Sequence, residues 1–273
     1  MSESSEDIKV LISSLQQTLF KRIERQERTN RNLVNQVYTQ LESLFWLEKK
    51  LLLKNQLPPL RGWATSPDVL LKLHSHIIET KPKCIVEFGS GASTLVIADA
   101  LRQNGSGKLY SFDDSDEFGS KTQSNLNKEE LNSFVNLTVA SLVPWSGSHL
   151  TTESVTPYWY DATVLDKLDS VDLVWVDGPP GKTCKFSRFP AVPAVIDKLH
   201  SSSQVWMDDT IREEETQICE AWSELTKMSL EFFSLEKGLG VLSYSDENNV
   251  LGNKPNVAIS EPNDSIVSKL DFS

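Results

Sequence analysis

Apolar residues recur at steps of three and four between residue 7 and about residue 55, a spacing that predicts amphipathic helices. The recurring residues are Ile8, Leu11, Ile12, Leu15, Leu19 and Ile23, followed by Val34, Val37, Leu41 and Leu44. The polar segment ERQERTNRN lies between the two runs, so two helices or one long helix with a polar middle both fit. The interruption favours a hairpin or a short helical bundle over a continuous coiled coil. The segment either packs on the chain's own domain or assembles a homo-oligomer, for which a dimer is the first expectation.

After the linker NQLPPLRGW the pattern changes to alternating strands and helices. Ser66 and Pro67 predict the N-cap and the first turn of a helix over SPDVLLKLHSHIIET. Strands are predicted at residues 84–88, 108–112, 135–139, 171–176 and 203–207, with helical stretches between most of them. Two further strand-like runs, LEFFSL and GVLSY, have no helix between them. This order predicts an α/β fold with a largely parallel sheet, covered on both faces, and one antiparallel element at its end.

These patterns divide the chain into three parts. Residues 1–57 form the N-terminal helical segment, residues 58–245 the α/β domain, and residues 246–273 a loose polar tail. Each apolar run is too short to cross a bilayer, so no membrane span is expected.

Charge is spread unevenly over the chain. The net charge is −11, and residues 1–55 hold nine Lys/Arg and seven Asp/Glu, so they carry +2 and the remainder carries −13. Such an acidic domain is a poor partner for nucleic acid or an anionic membrane, because phosphate contacts need clustered cations. Three widely spaced cysteines and the acidic start MSESSEDIKV predict a reduced, cytoplasmic protein.

The segment CIVEFGSGASTL combines a buried strand, a glycine turn and the start of a helix, an arrangement that receives nucleotide-like cofactors. The dinucleotide fingerprint would place a third glycine where this chain has Thr94. Glu87 would repel a pyrophosphate, whereas it suits the ammonium group of S-adenosylmethionine. The segment therefore favours S-adenosylmethionine over a nicotinamide dinucleotide. The candidate cofactor-binding residues of the turn are Glu87, Gly89, Ser90, Gly91, Ser93 and Thr94.

Acidic residues also follow the second predicted strand. Asp113 is the first candidate for accepting hydrogen bonds from the cofactor's ribose, and Asp114 is the alternative. Both residues can instead cap the following helix. After the third strand, Leu142 is a candidate for the adenine site, with ordinary core packing as the alternative.

Three acids follow the next two strands. Asp177 ends strand four, while Asp208 and Asp209 end strand five, so all three are expected at the edge of the sheet that holds the glycine turn. Carboxylates at such close quarters repel one another unless they are protonated or bound to a cation. Their oxygen atoms suit Mg²⁺ or Mn²⁺, although capping of the next helix also accounts for an acid at this place.

Five segments in this order, VEFGSGASTL, LYSFDD, VDLVWVDGPPG, RFPAVPAV and VWMDDTIREEE, resemble the class I S-adenosylmethionine-dependent methyltransferases. The resemblance spans roughly residues 60–245 and leaves the N-terminal helices outside it. It implies a Rossmann-like sheet of seven strands in the order 3-2-1-4-5-7-6. It also implies methyl transfer as the activity and S-adenosylmethionine as the cofactor, and Asp177 would help to bind this cofactor.

Within this family the acids resemble those of catechol, caffeoyl-coenzyme-A and sugar O-methyltransferases. There an acid after strand four and an Asp-Asn pair after strand five hold a divalent metal, which implies metal binding by Asp177, Asp208 and Asp209. Asp209 departs from the pattern because it replaces asparagine. Pro180 stands where the catechol enzymes have a lysine base, and Lys182 is the nearest replacement. The expected catalytic residues are therefore Asp177, Asp209 and Lys182.

The acceptor is expected to be a small molecule or a glycan-like compound. Arg188 could meet an anionic group on it, while Trp63 and Tyr158 offer aromatic faces. The leading function is metal-assisted O-methylation. A metal-independent methyltransferase and a non-catalytic cofactor-binding scaffold, assembled through the N-terminal helices, remain as alternatives.

Overall fold

The computed structural model describes residues 3–150, 156–161 and 163–244. The predicted tail, residues 246–273, lies outside these ranges. Among the described residues, no helix is both long and apolar enough to span a bilayer.

A single helix, α1, runs from Glu3 to Lys50. The predicted helical segment is therefore confirmed as one long helix, and the predicted hairpin is wrong. The polar segment ERQERTNRN is rich in Glu, Arg and Gln, which are good helix formers, so it interrupts the apolar pattern without ending the helix. Only the end of α1 packs on the domain, where Leu47 is fully buried and the Gln40 side chain donates to Asp68.

The α/β domain begins with helix α2, Pro67–Thr80. Ser66 occupies the predicted N-cap position, but its hydroxyl donates to the Asp68 carboxylate at 2.6 Å instead of accepting from the helix. Asp68 also accepts hydrogen bonds from the backbone N–H groups of Val69 and Glu236. It therefore joins α2 to the segment between Phe233 and Leu239, near the end of the domain.

The helices and strands of the domain then follow in the predicted order. They are β1 (Cys84–Phe88), α3 (Ala92–Asn104), β2 (Lys108–Asp113), α4 (Asp116–Lys128), β3 (Val135–Val139), the short pair β4 (Val143–Pro144) and β5 (Tyr158–Trp159), β6 (Val171–Val176), β7 (Leu199–Asp208), α5 (Glu213–Thr226), β8 (Ser229–Phe233) and β9 (Leu239–Ser243). The crossover from β6 to β7 contains short 3-10 turns, at Phe189–Ala191 and Ile196–Lys198, whereas the β1–β2 and β2–β3 crossovers contain α-helices.

The main sheet has seven strands in the order β3-β2-β1-β6-β7-β9-β8. Counted without the separate β4–β5 pair, this is the predicted order 3-2-1-4-5-7-6. The pairs from β3 through β7 are parallel, while β9 pairs antiparallel with β7 and β8. The central strands are buried on both faces, as their unbroken apolar runs predict. The carboxyl ends of β1, β2, β6 and β7 consequently meet at one edge.

Candidate active site

A cavity of about 640 Å³ opens at this edge of the sheet. That volume lies within the usual range of small-molecule sites. Its floor is built by the turn after β1 and by the ends of β2 and β6, and its wall by α4 and the segment before α2. The residues that line the cavity include Trp63, Thr65, Gly89, Ser90, Gly91, Ser93, Asp113, Asp114, Phe118, Tyr160, Asp177 and Lys182.

The glycine turn, residues 89–91, is packed tightly against the end of β6. Gly89 has a φ of +94°, and a Cβ at this position would lie 2.9 Å from the backbone of Asp177. Its N–H donates to the carbonyl of Phe112 at 2.9 Å, which ties the turn to β2. A side chain at residue 89 would therefore be strained and would clash.

Glu87 lies behind this turn and is fully buried. Its carboxylate accepts hydrogen bonds of 2.6 Å from the hydroxyls of Ser93, Thr94 and Ser111. Burial raises the pKa of Glu87 to about 7, against the opposing effect of these hydroxyls. Of the predicted turn residues, Gly89, Ser90, Gly91 and Ser93 line the cavity, whereas Glu87 and Thr94 do not belong to its described wall. Glu87 thus braces the turn, a role that sequence reasoning did not assign.

Asp113 lies at the tip of β2 and faces the glycine turn. One carboxylate oxygen accepts from the Ser90 backbone N–H at 3.1 Å and from the Ser90 hydroxyl at 2.5 Å, and the other accepts from the Ser115 N–H at 2.8 Å. Asp114 lines the same cavity, and burial followed by the neighbouring Asp113 charge raises its pKa. Leu142 packs against the hydrophobic core and does not belong to the described cavity wall.

The three downstream acids do converge, but around an arginine. One terminal nitrogen of Arg188 lies 3.2 Å from Asp177 Oδ1 and 2.9 Å from Asp209 Oδ2. The guanidinium also donates to the backbone carbonyls of Asp177 at 3.1 Å and Asp208 at 3.2 Å. We call Asp177, Asp208, Asp209 and Arg188 the acid cluster.

Arg188, which the sequence predicts to meet the acceptor, is only 3% exposed and does not belong to the described cavity wall. Burial alone would lower the pKa of Arg188, but the surrounding carboxylates, Asp177 first, raise it. The side chain therefore stays cationic. A second arginine, Arg212, reaches Asp209 at 2.9 Å from the outside and is about half exposed.

The acids themselves differ in environment. Burial raises the pKa of Asp177 to about 6 despite the attraction of Arg188. Burial, and then the charges of Asp177 and Asp209, raises the pKa of Asp208 well above its ordinary value. Asp208 accepts from the Asp209 N–H, while its Oδ2 has no hydrogen-bond partner among the described residues. These surroundings favour the protonated form of Asp208.

This arrangement does not fit the predicted divalent metal. The guanidinium of Arg188 bridges Asp177 and Asp209, which the ion would have to bind, and Asp208 is fully buried away from the cavity. Within the described ranges, no group of three or more His, Cys, Asp or Glu side chains has an arrangement that could hold a metal ion.

The mouth of the cavity is aromatic and cationic. Lys182 is exposed, and its Nζ lies 5.4 Å from the centre of the Trp63 ring, which is itself 68% exposed. Thr65 donates to Asp177 Oδ2 at 3.2 Å, so the segment before α2 is held at the cavity floor. Thr65 was missed by sequence reasoning.

The structure separates the two tyrosines of the YWY segment, of which the sequence analysis chose Tyr158 as an acceptor contact. It lies on β5, outside the described cavity wall, whereas Tyr160 lines the cavity. Tyr160 is buried against Phe88 and Phe112, and its hydroxyl has no hydrogen-bond partner among the described residues.

Comparisons with known proteins agree with this architecture. A family model described as a methyltransferase domain matches residues 86–210. A search of curated proteins finds no match. Among solved structures, a Podospora anserina methyltransferase bound to S-adenosylhomocysteine (SAH) is similar with a TM-score of 0.53 and 14% identity, over 76% of this chain and 87% of that one. A Bacillus cereus O-methyltransferase, also in complex with SAH, gives a TM-score of 0.50 and 15% identity, over 67% and 84%.

At these identities the two structures show a shared fold. The domain match runs from β1 through the end of β7, and it includes the glycine turn, Asp113 and the acid cluster. Its strand order and its cavity at the carboxyl ends of the strands are those of the class I methyltransferase fold.

Proposed function

We propose that this domain transfers a methyl group from S-adenosylmethionine to an oxygen of a small-molecule acceptor, and that it does so without a divalent metal. The observation that carries the proposal is the cavity beside the glycine turn, with Asp113 on its floor and with Asp177 and Asp209 already bridged by Arg188.

The cofactor would bind across the glycine turn. Asp113 accepts from the ribose hydroxyls in place of the Ser90 hydroxyl, while Asp114 adds negative charge for the cationic ligand. Gly89 and Gly91 let the backbone approach the methionine end closely. The neighbouring Podospora and Bacillus structures hold SAH, which supports this class of ligand.

Methyl transfer itself requires alignment and removal of one proton. The acceptor oxygen attacks the sulfonium methyl carbon in line, the carbon–sulfur bond breaks, and SAH leaves as the neutral thioether. Asp177 lies on the cavity floor with a pKa of about 6, so it is largely ionised at neutral pH and able to take the acceptor's proton. We assign Asp177 as the general base.

The acceptor side is proposed to be the mouth formed by Trp63 and Lys182. An exposed indole next to an ammonium group suits a flat or sugar-like ring that carries a carboxylate or phosphate. Asp209, expected to be catalytic from the sequence, is held between two arginines and serves to position Arg188. The expected cytoplasmic location remains a prediction that cell fractionation can check.

The test is transfer of a labelled methyl group from S-adenosylmethionine to a panel of phenolic and sugar hydroxyl acceptors by the full-length protein. Label on an acceptor oxygen supports the proposal. Asp177→Asn should abolish most turnover and leave SAH affinity within a few-fold, and the wild-type kcat should rise with pH and level off above about 6. SAH binding without transfer to any acceptor in the panel would favour the scaffold alternative.

A further inference from the structure

Helix α1 presents a long apolar surface that its own domain does not cover. Every residue from 9 to 39 is exposed, although the helix extends about 70 Å at 1.5 Å per residue. The apolar stripe consists of Ile12, Leu15, Leu19, Ile23, Leu33, Val37, Leu41 and Leu44. Its members from Ile12 to Leu41 are each between 49% and 58% exposed.

The stripe stays on one face along its length. Including Gln26 and Asn30, which fill the gap between Ile23 and Leu33, every step is three or four residues and the average is close to 3.6. The polar middle therefore continues the same face with two amide side chains. It does not move the apolar surface to another side of the helix.

The spacing of the stripe is symmetric about residue 28. Positions at equal distances on either side of it carry matching residues: Gln26 with Asn30, Ile23 with Leu33, Leu19 with Val37, Leu15 with Leu41, and Ile12 with Leu44. A parallel helix pair places each residue opposite itself and needs no such symmetry. An antiparallel pair with its twofold axis at residue 28 needs it at every layer.

We propose that α1 binds α1 of a second copy in antiparallel orientation, with the twofold axis at residue 28. Apolar residues then face apolar residues in eight layers, and Gln26 faces Asn30 of the partner subunit in the two central layers. The amides bond to each other there, whereas a slip by seven residues, about two turns, places each of them against a leucine, isoleucine or valine. They therefore set the register, as single polar residues do in helix pairs.

The exposed area is sufficient for a stable dimer. The stripe and the flanking Phe20, Val34 and Tyr38, which are 53–65% exposed, offer roughly 1,000 Å² per protomer, compared with about 800 Å² per partner in a standard interface. A lipid surface fits the stripe less well, because it would leave the Gln26 and Asn30 amides unpaired against acyl chains.

Sedimentation of the full-length chain at tens of micromolar should show a dimer. Leu19→Asp places a charge in the stripe and should raise the dimer dissociation constant at least about tenfold. Arg28→Asp is the matched control, since residue 28 lies nine positions away, two and a half turns, on the opposite face of the helix. A monomeric wild-type chain, including one that instead binds phosphatidylcholine vesicles, would overturn the proposal.

Cysteine cross-linking tests the orientation. In the proposed dimer Leu19 faces Val37 of the partner subunit, while the two copies of residue 19 lie about 27 Å apart along the axis, far beyond disulfide reach. A mixture of Leu19→Cys and Val37→Cys chains should form a disulfide heterodimer under mild oxidation, and either variant alone should not. The wild-type chain controls for its three native cysteines. Ready self-linking of Leu19→Cys would establish a parallel pair and refute this arrangement.

Discussion

Both halves of the sheet edge that forms the cavity carry acidic residues, but the partners of these acids differ between the two halves. At the ends of β1 and β2, Asp113 accepts hydrogen bonds from the neutral donors of Ser90 and Ser115 and lines an open cavity. At the ends of β6 and β7, Asp177 and Asp209 are bound to Arg188, and Asp208 is buried without a cation of its own.

This difference shows that acidic residues at adjoining strand ends are not by themselves a metal site. A protein can balance such acids with an internal guanidinium, which offers several fixed N–H donors and remains charged when buried. On the β1–β2 side the acid stays available to a ligand. The comparison therefore divides one edge of the sheet into a ligand-binding half and a half that is mainly structural, with Asp177 at the border between them.

The largest expected effect comes from removing the cation of the acid cluster. Arg188→Met should lower the free energy of unfolding by about 3–5 kcal/mol, because it leaves buried carboxylates without their partner. Urea denaturation measures this. Arg212→Met removes a half-exposed arginine from the same Asp209 and should cost less than about 1 kcal/mol. Equal losses in the two variants would mean that Arg188 is not the centre of the cluster.

A smaller effect is expected on the ligand-binding half. Asp113→Asn should weaken SAH binding by about 1.5–3 kcal/mol, roughly tenfold to a hundredfold, because hydrogen bonds to a charged acceptor are lost. Isothermal titration calorimetry gives the dissociation constant. Asp116→Asn, in the first turn of α4, is the control and should bind SAH as the wild type does. An unchanged affinity in Asp113→Asn would contradict the assignment of Asp113 to the ribose and would favour Asp114 in that role.

A pH-dependent effect is expected for Glu87, which braces the glycine turn. Its pKa of about 7 lies above the value of 4.5 for a free glutamate, so the folded state holds the proton more tightly than the unfolded state. Its contribution to stability is full below about pH 4.5 and is lost as the pH rises through about 7. Glu87→Gln should remove this loss, so its stability relative to wild type should increase between pH 5 and pH 8 in thermal or urea unfolding.

The exposed Glu220→Gln on α5 is the matched control for that comparison, and its difference from wild type should stay constant over the same pH range. A constant difference for Glu87→Gln as well would show that Glu87 is ionised throughout, and that the hydroxyls of Ser93, Thr94 and Ser111 outweigh its burial.

Much of the sheet could be predicted from the sequence because strands buried on both faces appear as short apolar runs, such as CIVEF and VDLVWV. The positions of the glycine turn and of Asp113 could be predicted as well, because both lie at the ends of those strands. Arg188 could not be placed in this way. It lies in the β6–β7 crossover, where short 3-10 turns leave no periodic pattern, and only the folded path brings it back onto Asp177.

The same limit applies to two other features. The ERQERTNRN segment breaks the apolar pattern of α1, but backbone helicity depends on propensity as well, so the break did not become a turn. By residue type, Tyr158 and Tyr160 are equally plausible contacts for the acceptor. In the folded chain Tyr158 lies on β5 and Tyr160 follows it in the cavity wall.

The most direct test of this account is calorimetric titration of SAH into the full-length protein, once in excess EDTA and once in millimolar Mg²⁺. Because the Arg188 guanidinium already occupies the space between Asp177 and Asp209, the account predicts the same micromolar dissociation constant in both buffers and no binding heat when Mg²⁺ is titrated into the SAH complex. SAH binding that requires Mg²⁺, or Mg²⁺ that binds tightly and is lost in Asp177→Asn, would contradict it.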